Sequence, residues 1–323
     1  MPRRGATAPY RAVAPVGPYA SPMSFNDNSQ LNGGRVGSGG GGRGIAVGGG
    51  LGGAVLLLLA GLFFGQDGID ALTGGNQYDT QSTQQVDSGL ADRCRTGEDA
   101  NRDTECRMVA TVQSLDQFWG GYFPEATGKK YTLPQVELFR GTDSTSCGQA
   151  SSATGPFYCP PDSTVYLDTG FFDQMRSQFG ADADALAQEY VMAHEVGHHV
   201  QNLQGTLGRA QQDPHGATSA AVRTELQADC YAGMWAHHAT EPGGAVQLEP
   251  ITRMQLADAI EAAGAIGDDR IQETTQGRAN PESFTHGTSA QRQAWFLTGY
   301  QTGDIRACNT FTASDLNRPA ALT

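Results

Sequence analysis

Basic side chains are scarce in this chain. Only 21 Lys and Arg stand against 34 Asp and Glu in 323 residues. Five of the arginines, with a single acid (Asp27), fall in residues 1–43, so everything beyond is strongly acidic. A body of that charge repels a phosphate backbone, which excludes nucleic-acid binding as its role. Internal repeats are absent, which excludes a solenoid. None of the six cysteines stands in a CxxC pair, and charge is missing altogether from Gly44 to Gln66. Glycine is plentiful but uneven: 20 of the 43 lie within the first 75 positions, and the remainder is at an ordinary globular level.

The uncharged run is long enough to matter. As a helix rising 1.5 Å per residue it would extend about 34 Å, against a hydrocarbon core of about 30 Å. A cleaved signal peptide does not fit, because the upstream region is far too long and no small-x-small site follows Phe64. Residues 44–66 therefore read as a transmembrane signal anchor. Arg35 and Arg43 precede it while Asp67 and Asp70 follow, so the positive-inside rule puts the N-terminus in the cytoplasm and the rest outside. Residues 1–43, rich in Pro, Gly, Ser and Asn, read as a disordered cytoplasmic tail, and polar 67–91 as a linker. One domain then occupies 92–323, large enough for a real core.

Cysteine usage agrees with an outward-facing domain. Cys94, Cys106, Cys147, Cys159, Cys230 and Cys308 all lie beyond the uncharged run, and an even count there reads as a disulfide framework. Local pairing gives Cys94–Cys106 and Cys147–Cys159, leaving Cys230 and Cys308 to tie a central helix to the C-terminal region. Apolar spacing predicts helices over 104–122, 173–179, 182–203, 219–238, 254–265 and 289–300, with short strands at 136–139 and 164–167. The expected fold is α+β, mainly helical with a small sheet. Val165–Asp168 is either an edge strand able to receive an extended peptide or a core strand.

The informative stretch is AHEVGHHVQ at 193–201. His194 and His198 are four apart, so on a helix both imidazoles project from one face and can grip one metal ion. Glu195 lies close enough to face an open metal position without binding it, where a carboxylate can take the proton of an attacking water. A metzincin would require Gly at 201 and His at 204; both positions are glutamine, so that class is excluded. The third ligand must come from elsewhere. TELQADCYAG supplies Glu225, which completes a His₂Glu set, and Asp229 one turn later, which can accept the remaining N–H of a ligand histidine. His199 points away from the ligand face and reads as a supporting or surface residue. His237 and His238 read as exposed near a helix end.

HEVGHH followed by ELQAD resembles the gluzincin arrangement of zinc peptidases. With GPFYCP at 155–160, VYLD at 165–168 and FTHGTSAQR at 284–292, it is similar to the bacterial family of neutral zinc metallopeptidases over about residues 22–312. The resemblance implies a zincin-like domain behind a single-pass anchor, one Zn²⁺ per chain, a peptide or protein substrate, and peptide hydrolysis. It implies His194, His198 and Glu225 as ligands, Glu195 as general base and Asp229 as orienter of His194. Gluzincins commonly add a later His or Tyr to stabilise the oxyanion, a role open to His286 or Arg292. Two rival readings are a non-catalytic zinc-containing envelope scaffold and a zinc hydrolase of a non-peptide amide. A base at Glu195 argues against the scaffold, which would have no use for one.

Overall fold

The computed structural model describes residues 24–38, 89–151, 154–179 and 185–322. The expected anchor at 44–66 lies outside the described residues, as does nearly all of the linker. Among the described residues, no helix is long and apolar enough to cross a membrane.

Helices form where apolar period and capping chemistry agree. After the short α1 (Leu90–Arg93) and α2 (Gly97–Arg102) comes α3 (Thr104–Thr127). Asp103 opens α3 by accepting from the Cys106 N–H, and left-handed Gly128 closes it. Its buried stripe is Met108, Val112, Leu115 and Trp119. Then follow α4 (Phe171–Phe179), α5 (Ala185–Gln204), α6 (Ala220–His238), α7 (Arg253–Ala265), α8 (Asp268–Gln276) and α9 (Ser289–Thr302). Ser219 caps α6, and the Thr252–Gln255 and Thr288–Gln291 capping boxes open α7 and α9. The sequence pattern finds the long helices to within a few residues and leaves α8 unread.

The strands are β1 (Gly37–Ser38), β2 (Gln135–Phe139), β3 (Thr142–Thr145), β4 (Gly148–Ser151), β5 (Phe157–Cys159) and β6 (Thr164–Asp168). β3 and β4 pair by themselves; the other four form a mixed sheet in the order β1-β2-β6-β5. β1, β2 and β6 run parallel, with Gln135 opposite Thr164, and β5 is antiparallel to β6. This answers the open question about Val165–Asp168. Strand β6 is interior, flanked on both sides and buried along its whole length, and the edge strands among the described residues are β1 and β5.

Helices α6 and α9 cross with glycine on both sides. A Cβ at Gly233 would overlap the Phe296 carbonyl oxygen, and one at Gly299 would overlap that of Cys230. Gly197 of α5 similarly faces Ala228 of α6, whose Cα lies 3.2 Å from the position a Cβ would take. The three disulfides are those expected: Cys94–Cys106, Cys147–Cys159 and Cys230–Cys308. The last ties α6 to the turn of 3-10 helix at Ile305–Cys308.

One expectation needs correction. Residues 24–38, placed by composition in a disordered tail, lie ordered against the domain. Phe25 is fully buried. The Asn26 N–H donates to the Gln247 carbonyl (3.0 Å), and Glu249 N–H to that of Ser24 (2.8 Å). Arg35 grips Asp116 through Nε (2.6 Å) and Nη2 (3.0 Å), and Nη2 also reaches the Pro134 carbonyl (2.7 Å). Composition misses this because the order comes from backbone groups meeting partners that are distant in sequence.

Candidate active site

Two helices and one loop build the site. On α5 the four-residue spacing stacks His194 and His198 on one face, ring centroids 4.8 Å apart. Glycine at 197 lets α6 approach that face closely, which delivers Glu225. The Nε2 of His194 lies 3.2 Å from Glu225 Oε2, and the Nε2 of His198 3.5 Å from Oε1. The opposite ring nitrogens are held: His194 Nδ1 by Asp229 Oδ1 at 2.8 Å, His198 Nδ1 by Gln201 Oε1 at 2.8 Å. Both rings are thus fixed with Nε2 directed at one point beside a carboxylate. Donor atoms of all three residues lie within 4.8 Å of one another. Two imidazole nitrogens and a carboxylate oxygen suit zinc, so the residues fit the ion that the motif implies.

Electrostatics point the same way. Burial alone would push His194 down, but Asp229 and Glu225 raise it to about 9. Burial likewise opposes the charge on His198, yet Glu225 raises it. Burial opposes ionisation of Glu225, and His198 and His194 overcome it, holding the carboxyl well below the usual range. The pocket therefore favours positive charge between its carboxylates, whether as protons or as a cation. Glu195 differs. Burial raises its carboxyl, with His194 and His198 pulling the other way, the direction wanted in a proton acceptor that works near neutral pH.

Asp229 is fixed from behind by Arg292, a residue sequence reasoning left undecided. Arg292 Nε donates to Asp229 Oδ2 (3.0 Å), Nη2 to Oδ1 (2.9 Å) and to the Tyr190 hydroxyl (3.1 Å), and Nη1 to the Ile266 carbonyl (3.2 Å). Its Nε and Nη2 are committed to this pairing, while the residue also lines the cleft. Tyr190 in turn donates to Asp229 Oδ1 at 2.6 Å.

His286 faces the same cleft. Asp268, unread in the sequence, organises its loop: Oδ2 accepts the N–H groups of Thr285, His286 and Gly287 at 2.7, 2.6 and 2.9 Å. Asp268 Oδ1 also lies 3.3 Å from His286 Nδ1. No partner among the described residues holds Nε2. The available signal was GDDR at 267–270, a glycine and two acids opening a helix.

The cleft itself is about 260 Å³. His194, Glu195, His198, Glu225 and His286 line it together with apolar Phe157, Tyr158, Phe171, Leu207 and Ile266. Residues of β5 thus form one wall. His199 is neither ligand nor surface residue. It is buried, its Nε2–H donates to the Thr132 carbonyl (2.6 Å), and its Nδ1 accepts from the Tyr158 hydroxyl (3.0 Å). Burial lowers its pKa, consistent with a neutral ring. His237 and His238 are half-buried rather than exposed, and tie α6 to the end of α9 through the Tyr300 and Gly303 carbonyls.

Comparison with known proteins follows the same outline. The uncharacterized protein Rv2575 of Mycobacterium tuberculosis (strain H37Rv) is 55% identical over 228 residues, 69% of this chain and 76% of the relative. The uncharacterized protein YpfJ of Escherichia coli (strain K12) is 42% identical over 283 residues, 85% of this chain and 91% of the relative. No solved structure matches. A family model described as "Putative neutral zinc metallopeptidase" matches residues 23–311, nearly the whole chain, and the chain belongs to that family.

Proposed function

We propose that this protein is a zinc-dependent peptidase that hydrolyses peptide bonds of a peptide or protein substrate outside the cytoplasm. The observation that carries the reading is the His194–His198–Glu225 donor set sharing one cleft with Glu195 and His286. Three disulfides support an oxidising compartment.

His194, His198 and Glu225 would hold a zinc ion, which when bound would supply Lewis-acid polarisation of the scissile carbonyl and a lowered pKa for the attacking water. Glu195 accepts that water's proton and returns it to the leaving amine. Asp229, pinned by Arg292 and Tyr190, holds the His194 ring in the tautomer that keeps Nε2 free. His286 donates from Nε2–H to the oxyanion of the tetrahedral intermediate, while Asp268 keeps its loop in place. An extended substrate pairs with the free edge of β5, and the apolar wall receives one of its side chains.

The test uses full-length chain in detergent, because the segment at 24–38 belongs to the fold. Zinc content and cleavage of an unfolded-protein library are measured for wild type, Glu195→Gln and Glu225→Ala. Wild type should bind one zinc and cut, Glu195→Gln should keep zinc without cutting, and Glu225→Ala should lose zinc. Bound zinc with no peptide cleavage in wild type would sink the peptidase reading, in favour of a scaffold or a non-peptide amidase.

A further inference from the structure

The docked segment 24–38 bears on how the chain meets the membrane. Its contacts run along its whole length: Asn101 Oδ1 accepts from the Ser24 and Phe25 N–H groups (3.1 and 3.0 Å), and Asn101 Nδ2 donates to the Phe25 carbonyl (2.8 Å). Further on, Leu31 N–H donates to the Arg95 carbonyl (2.8 Å), and Gly97 N–H to that of Ser29 (2.9 Å). Arg35, with a side chain 14% exposed, is paired with Asp116, and β1 adds a parallel strand to β2. Gly33 lies so close to the backbone of Leu90 and Ala91 that a Cβ there would overlap both. The chain therefore returns to the fold, at Gly89, in contact with the segment by which it left. The family match begins at residue 23, so it includes this segment.

Between Ser38 and Gly89 lies the uncharged run of 44–66. Its 23 residues suffice for one helical crossing of a bilayer and fall well short of two. One crossing puts residues 24–38 and the domain on opposite sides, which breaks every contact above. The positive-inside argument also weakens, because Arg35 is committed to Asp116.

We propose that residues 24–38 and the domain lie on the same side of any membrane the chain meets. That this side is the outer one rests on the outward-facing reading above.

Full-length chain with an N-terminal epitope tag is expressed, and intact spheroplasts are treated with protease. Loss of the tag without lysis, with the domain also accessible, is the expected result. A tag protected until lysis beside an accessible domain overturns the proposal. Protection of both keeps the one-sidedness and overturns only the outward placement. A second measurement pairs Gly37→Cys with Glu137→Cys, neighbours in the β1–β2 register, and adds a protease site within 76–88. No native disulfide joins the two fragments, so they should stay linked after cutting until reductant is added. Fragments that separate without reductant, although each cysteine is present and the chain is membrane-bound, also overturn it.

Discussion

Replacing Glu189 by glutamine should flatten a decline in stability that wild type shows between about pH 5 and pH 8. Glu189 lies on α5, fully buried, with only the Ser24 hydroxyl and the charge of Arg107 to offset its loss of water. Burial pushes its carboxyl from 4.5 up to about 8, against the charge of Arg107. Between those two values the folded chain holds a proton that the unfolded chain has released, so stability falls as pH rises through the window and levels off above about 8. Each unit inside it costs about 1.4 kcal/mol, so the span from about pH 5 to 8 amounts to roughly 4 kcal/mol. Glutamine adds a buried amide whose cost of about 1–3 kcal/mol does not change with pH, so the slope carries the information and the intercept does not. Urea unfolding of both proteins at pH 5, 6.5 and 8, with the same zinc and intact disulfides, gives the difference directly. Titration of the metal ligands is common to both and cancels. A difference that stays constant across the three pH values would refute the burial argument.

Gly299→Ala should destabilise by about 3 kcal/mol, since its Cβ meets the Cys230 carbonyl and α9 must move; thermal melts measure this. Asp268→Asn should lower kcat about 10- to 100-fold on a fluorogenic peptide while leaving zinc content and KM nearly unchanged. Unchanged turnover would remove His286 from the reaction. Replacing Cys230 and Cys308 by serine should cost about 4.5 kcal/mol, against about 3 for the Cys94–Cys106 pair, because the bridged separations are 78 and 12 residues. Equal losses in denaturant titrations would contradict a loop-entropy origin.

The His194–His198–Glu225 grouping was legible because its geometry is local. Two histidines four apart share a helix face whatever the helix packs against, and a glutamate on the next long helix needs only that the two helices meet. The disulfides were legible because near neighbours pair first and leave one pair over. The Arg292–Asp229 pairing was not, since it arises where α9 crosses α6, a contact that no spacing within either helix encodes. β6 could not be ranked as edge or interior from TVYLD, because that depends on β2 and β5 pairing along both its sides, which no pattern within those five residues encodes. Residues 24–38 carry few apolar side chains, so composition reads them as disordered, whereas their order comes from a few buried anchors (Phe25 and Val36), backbone hydrogen bonds and one ion pair.

The glycine crossing of α6 and α9 makes a stiff pivot behind the His194–His198–Glu225 grouping. Arg292 stands seven residues before Gly299 and Asp229 four before Gly233, so at 1.5 Å per residue the ion pair lies about 10 Å or less from the pivot. Backbone pressed on backbone leaves no side chain there to hop between rotamers, so little slack reaches the His194 ring through Asp229. The cleft wall around Leu207 can then change length and composition, and with it the substrates accepted, without retuning the proton that fixes His194.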